Sequence, residues 1–165
     1  MTLVANGRGG HVDPVAIPAI AVGTMVSLDL DESRKFYEEF LGLECVRYAP
    51  DRMLIRDLAS KQAMEQGSPD YLIIDVRQVD TIEHPQNMLN HWGFGVSSTE
   101  EVDRIHAAAK AQKDRYQLKV RPITRIHNAY GFYMTDRDRN WWEIEFRVHG
   151  LTNEMVFEQG DVEMF

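Results

Sequence analysis

The chain repeats itself, and the repeat narrows the folds open to it. At one constant offset Val22 falls on His91, Asp29 on Ser98, Glu32 on Glu101, Phe36 on Ile105 and Phe40 on Ala109. Helix caps and core positions thus come into register together. A unit of this size carries a sheet that cannot bury both faces alone, so the two copies must pair.

In the first copy residues 20–28 are β-prone. Asp29 with Glu32 three residues on is a capping-box start. Leu30, Ser33, Phe36, Tyr37, Phe40 and Leu41 follow at helical spacing, giving one apolar face. Gly42 closes the helix where a left-handed backbone is favoured. Residues 43–48, 52–58 and 71–77 read as strands, with 59–70 as a polar loop. A polar linker then leads to the second copy. Residues 91–97 form its first strand, and Ser98 with Glu101 caps its helix. Val102, Ile105, Ala108 and Ala109 make the apolar face. Residues 116–123, 126–135 and 141–148 supply its remaining strands. The expected architecture is α+β: two tandem βαβββ modules pairing into an open sheet around a central cavity. An arm spans 1–18, the modules 19–78 and 90–148, the linker 79–89 and a tail 149–165.

Strand alternation then sorts the side chains. Trp142, Ile144 and Phe146 share one face, and Trp141, Glu143 and Glu145 the other. His91 shares a face with Gly93 and Gly95, which leaves space for a ligand or backbone to approach. His127, Ala129, Gly131, Tyr133 and Thr135 share a face of the strand that leads to the hairpin. Three strands therefore offer His91, His127 with Tyr133, and Glu143 with Glu145. Imidazole and carboxylate on rigid strands, with positions left open, suit a catalytic divalent metal such as Fe(II), Mn(II), Ni(II) or Zn(II). His91 and Glu143 are the candidate ligands. His127 is a candidate for acid–base work, and Tyr133 for donating a hydrogen bond to a substrate oxygen. His106 falls on the core position of Tyr37 and reads as structural. Arg52 and Arg56 share a face and read as solvated rather than as an anion anchor.

Composition excludes several partners. A formal charge of −8 argues against nucleic acid and anionic membrane surfaces, which both require clustered cations. No apolar run approaches the roughly 18 residues of a membrane span. A single cysteine, Cys45, rules out an internal disulfide framework and fits a reducing cytoplasm. Its strand context makes it a core residue rather than a nucleophile.

The run Leu28-Asp-Leu-Asp-Glu-Ser-Arg-Lys-Phe-Tyr-Glu-Glu-Phe-Leu-Gly-Leu43 resembles the helix signature of the vicinal oxygen chelate superfamily, which includes glyoxalase I, type I extradiol dioxygenases and fosfomycin and bleomycin resistance proteins. Asp136-Arg-Asp-Arg-Asn-Trp-Trp-Glu143 resembles its Asp-Pro-Asp-Gly-Asn-x-x-Glu turn, with Arg137 and Arg139 in place of Pro and Gly. The resemblance covers residues 19–147. It implies a metal-ligand histidine at His91, a ligand glutamate at Glu143 and a substrate-contacting tyrosine at Tyr133. It also implies a first-module ligand histidine at Val22, and valine binds no metal. A third ligand would have to come from Asp75, His127, His11 or the substrate.

Two readings follow. The first is a metal-dependent enzyme acting on a small substrate with vicinal oxygens, a catechol or an α-hydroxy carbonyl. Within it, extradiol ring cleavage is favoured over glyoxalase-like isomerisation on the Tyr133 spacing and the nearby Trp141 and Tyr130. The second is a metal-free binding or sequestering protein for a small planar ligand, favoured by Val22. In both, paired modules of this kind imply a homodimer, and residues 151–165 are expected to cover the groove or a partner subunit.

Overall fold

The computed structural model describes residues 20–126, 129–147 and 153–159. The arm with His11, the residues His127 and His149, and most of the tail lie outside the described residues. Within the tail, helix α4 spans Asn153–Gln159.

The first half builds one sheet from β1 (Val22–Ser27), β2 (Glu44–Ala49), β3 (Arg52–Arg56) and β4 (Ile73–Gln78), in the order β1-β4-β3-β2. β1 and β4 are parallel, and the other pairs are antiparallel. The second half repeats this with β5 (Trp92–Gly95), β6 (Lys119–Val120), β7 (Thr124–Ile126), β8 (Ala129–Thr135) and β9 (Trp141–Arg147), ordered β5-β9-β8-β6 with β7 beside β8. β5 and β9 are the parallel pair. Two mixed sheets of matching topology are what the repeat demands.

The helices start where the cap patterns place them. Asp29 accepts from the backbone N–H of Asp31 and Glu32, opening α1 (Leu30–Lys35). Ser98 accepts from Glu101 N–H, opening α3 (Thr99–Ala111). α1 then widens over Phe36–Phe40, where Leu41 N–H donates to Phe36 O five residues back at 3.1 Å. Gly42, at φ +70°, ends it as Leu43 N–H donates to Tyr37 O. That left-handed conformation costs a glycine little.

Three expectations fail. The polar stretch 59–70 contains helix α2 (Leu58–Glu65), capped by Asp57, whose carboxylate accepts from Ser60 N–H at 2.7 Å. The strand before it accordingly stops at Arg56. The first half is therefore β-α-β-β-α-β. An N-cap outweighs the weak apolar pattern of Leu58-Ala-Ser-Lys-Gln-Ala-Met-Glu65. In the second half, 126–135 is not one strand. β7 and β8 pair antiparallel, with Ile126 opposite Ala129, so they form a hairpin. The run 116–123 is extended only at Lys119–Val120, while Tyr116 is buried.

The halves meet through one continuous core. Phe36 and Tyr37 from the first half pack their rings against Trp142, which is 0% exposed. Phe94 stacks on Trp142 with ring centroids 5.8 Å apart. The turn between β8 and β9 pins this contact. Ser33 Oγ donates to Asp138 Oδ2 at 2.9 Å, and Asn140 Nδ2 donates to Val26 O at 3.1 Å. Asp136 sits at the centre, accepting from the backbone N–H of Asp138 and Asn140, from Asn140 Nδ2, from Trp142 Nε1 and from Tyr37 Oη. Burial still pushes its carboxyl up to about 6. Cys45 is a core residue, and burial raises its thiol to about 12.

Candidate active site

Trp142, Ile144, Phe132 and Met134 turn inward and are buried. Alternation leaves Trp141, Glu143 and Glu145 of β9 and Tyr133 of β8 on the open face of the second sheet, all half-buried. Register assembles them: Tyr133 lies opposite Glu143 on one side, and Gly93 lies opposite it on the other. His91, one residue before β5, reaches the same spot. Its Nε2 lies 2.9 Å from Glu143 Oε2, and its ring meets that of Tyr133 edge-on at 5.1 Å. Tyr133 in turn meets Trp141 at 6.2 Å. The three residues singled out by pattern, His91 just before β5, Tyr133 in β8 and Glu143 in β9, are neighbours.

The tautomer of His91 carries the chemistry. Its Nδ1 lies 2.7 Å from the carbonyl oxygen of Met88. A carbonyl only accepts, so Nδ1–H donates. Nε2 of the neutral ring then presents a lone pair to Glu143 Oε2. Two acceptors at that separation repel unless something positive lies between them, either a proton on Nε2 or a metal ion. A histidine whose second nitrogen donates to a backbone carbonyl is also the usual state of a metal ligand. The donor pair therefore fits a divalent metal.

Among the described residues no third His, Cys, Asp or Glu joins the pair. Asp75 lies opposite Thr24 in the first sheet as Glu143 lies opposite Gly93 in the second, so it is Glu143's structural counterpart. Its carboxylate is engaged otherwise. Tyr48 Oη and Arg77 Nε each donate to it at 3.0 Å, and Arg52 lies 3.9 Å away. Val22, the counterpart of His91, is 65% exposed and offers no ligand atom. Arg56 donates to Glu44 at 2.7 Å, so neither Arg52 nor Arg56 is a free cation. His127 and His11 lie outside the described residues.

Burial, and after it a hydrogen bond to Glu143, pushes the Tyr133 phenol up to about 12. Tyr133 is thus a donor across the physiological range and not a base. His106 is structural: its Nε2 contacts Arg121 O at 3.0 Å and its ring packs on Phe132.

A cavity of about 550 Å³ opens beside Tyr133 and Trp141, lined also by Asn87, Met88, Arg121 and Thr124. Sequence reasoning missed its linker wall. Met88 contributes through its backbone carbonyl, and Gln86 Oε1 accepts from Trp141 N–H at 2.9 Å. A backbone acceptor leaves no trace in residue type. The pocket between the halves is smaller, about 90 Å³, and lined by Leu43, Ile74, Trp92 and Trp142 among others.

The model of the Glyoxalase/Bleomycin resistance protein/Dioxygenase superfamily matches residues 17–144. The chain belongs to this superfamily. Solved structures resemble the chain as well. FosX, the genomically encoded fosfomycin resistance protein of Listeria monocytogenes, is 20% identical, with 86% of this chain and 100% of that chain covered and a TM-score of 0.62. A possible glyoxalase from Bacillus cereus is 22% identical (78% and 98% covered, TM-score 0.59). Lactoylglutathione lyase from Agrobacterium tumefaciens is 18% identical (79% and 94% covered, TM-score 0.55). A variant of the same FosX was crystallised with Mn(II) and 1S,2S-dihydroxypropylphosphonic acid. At these identities the superfamily likeness fixes the fold. No curated protein matches the chain.

Proposed function

We propose that the open face of the second sheet is the reaction centre of a metal-dependent enzyme for a small substrate with vicinal oxygens. The observation that carries this is the 2.9 Å approach of His91 Nε2 to a carboxylate oxygen of Glu143, with Nδ1 of the same ring on the Met88 carbonyl. His91 and Glu143 would hold a divalent ion, with Fe(II) or Mn(II) favoured and Ni(II) or Zn(II) alternatives. When bound, such an ion polarises the oxygens it touches and makes their protons easier to lose.

The chain's own residues do the rest. The Met88 carbonyl holds the imidazole by Nδ1, which would leave Nε2 for the ion. Tyr133, protonated and fixed between His91 and Trp141, turns its one hydroxyl hydrogen from Glu143 to a substrate oxygen and orients it. Trp141 supplies an aromatic wall. An edge of exposed Gly93 and Gly95, where an added Cβ at Gly95 would meet nothing within 4 Å, leaves the approach open. His127 is the proton carrier in this scheme. A catechol or an α-hydroxy carbonyl meets these demands, and the aromatic wall favours extradiol ring cleavage over isomerisation.

Protein purified without chelator and supplemented with Fe(II) or Mn(II) should retain close to one metal per chain. His91→Ala and Glu143→Gln should each weaken retention by at least tenfold. Retention that survives both substitutions contradicts the assignment.

A second reading keeps its own support. With valine at position 22 and Asp75 tied to Tyr48 and Arg77, the described residues supply two ligands. A metal-free protein that sequesters a small planar ligand in the 550 Å³ cavity is the alternative. It requires tight ligand binding with no metal retained. In either case we assign a homodimer. Val22, Val46 and Tyr48 leave the first sheet's open face with apolar side chains more than half exposed, which a second copy would cover. No helix among the described residues is long and apolar enough to cross a membrane. The lone buried Cys45 supports a reducing cytoplasm, and the acidic balance disfavours nucleic acid as a partner.

A further inference from the structure

Arg121 is placed differently from the other arginines near the two open faces. Its guanidinium lies over the ring of Trp141, 5.7 Å from the centroid. Arg52, Arg56 and Arg77 are each within ion-pair distance of a carboxylate, but Arg121 has no acidic partner among the described residues. Its backbone is held on both sides: its N–H donates to Tyr133 O at 2.8 Å, and its carbonyl contacts His106 Nε2. The residue lines the 550 Å³ cavity together with Tyr133, Trp141, Asn87 and Thr124.

Register sets the distance. Arg121 follows β6 and bonds across to Tyr133, which lies opposite Glu143. Strands are spaced about 4.8 Å apart, so Arg121 sits roughly 10 Å across the sheet from the Glu143 backbone. Its side chain reaches the Trp141 ring, on the same strand as Glu143. A chain of net charge −8, with Glu143 and Glu145 on this same face, would repel an anion unless a cation is provided. Stacking on Trp141 pre-orients the planar donors of Arg121 and costs them little hydration.

We propose that Arg121 binds an anionic group of the substrate, a carboxylate or a phosphonate, at the far end from its vicinal oxygens. The substrate is then a compact organic acid about one aromatic ring in length, with its oxygens at His91–Glu143 and its charge at Arg121. This deepens the reading of the face as a small-molecule site and depends on it.

The test uses the full chain with no metal added and three ring-matched probes: benzoate, phenylphosphonate and neutral benzamide. Wild type should bind at least one of the two anions ten- to hundredfold more tightly than benzamide, the effect of a charge-assisted hydrogen-bonded pair. Which anion leads identifies the acid. Arg121→Gln should bring the preferred anion to the benzamide level, Arg121→Lys should recover part of the gain, and thermal melts should show both variants folded. Equal binding of all three probes by wild type, absence of binding, or an anion preference that survives in Arg121→Gln overturns the proposal. Failure of metal retention at His91 would instead sink the proposed enzyme while leaving this anion preference standing.

Discussion

At the scale of single residues, the site is defined by which hydrogen bonds are already spent. The Met88 carbonyl takes the Nδ1 hydrogen of His91, so the other nitrogen is committed to Glu143. Tyr133 is constrained in the opposite sense, because burial and Glu143 keep its hydroxyl protonated up to about 12. The folded-state phenol is raised above its ordinary 10, so it stays a neutral donor throughout the usable pH range. Tyr133→Phe should therefore weaken substrate binding or turnover by roughly tenfold, the worth of one hydrogen bond. The factor should be the same at every pH from 6 to 10. A pH–rate profile of the variant alongside wild type checks this, and a defect that grows or vanishes with pH would assign Tyr133 a titrating role instead.

At the scale of elements, glycine marks where backbones or rings press together. A Cβ on Gly131 would lie 2.4 Å from Ile144 O and 3.0 Å from Glu145 Cα, and backbone cannot step aside. Gly131→Ala should cost about 3 kcal/mol or more. Gly95→Ala, with nothing within 4 Å of the added carbon, should change stability by less than about 0.5 kcal/mol. Urea unfolding of the two variants side by side reads the contrast. The hairpin turn is the other critical element, because it ties the halves together. Asn140 Nδ2 serves both Val26 O and Asp136 Oδ2. Asn140→Ala leaves both acceptors short of a donor and should destabilise by about 1 to 3 kcal/mol. Denaturant midpoints check this, and an unchanged midpoint would show that the turn does not join the halves energetically.

At the scale of the whole molecule, the duplicated topology was legible because it repeats caps and core together. Asp29 and Ser98 cap their helices, Gly42 takes the positive φ, and Trp142 and Ile144 face the core. The split of Trp141, Glu143 and Glu145 from that core also followed from strand period alone. Three things escaped. Helix α2 has a strong cap at Asp57 but a diffuse apolar face, so its signal lay in one side-chain hydrogen bond. The β7–β8 hairpin escaped because both its strands are β-prone and read as one run. The Met88 carbonyl and the stacking of Arg121 on Trp141 depend on where the linker and β6 arrive in space, which no local pattern encodes. Gly23 belongs with these. An added Cβ there would fall 2.3 Å from the Trp92 ring, a contact between halves that only the assembled fold creates.

The proposed metal site requires Nε2 of His91 to be free for an ion, and nitrogen-15 NMR of histidine-labelled protein reads that atom itself. With the ring neutral, His91 should show the Nδ1–H form, and Zn(II) should shift its Nε2 resonance while the Nδ1 hydrogen stays in place. A His91 found with its hydrogen on Nε2, or one whose Nε2 signal ignores the metal, would contradict it.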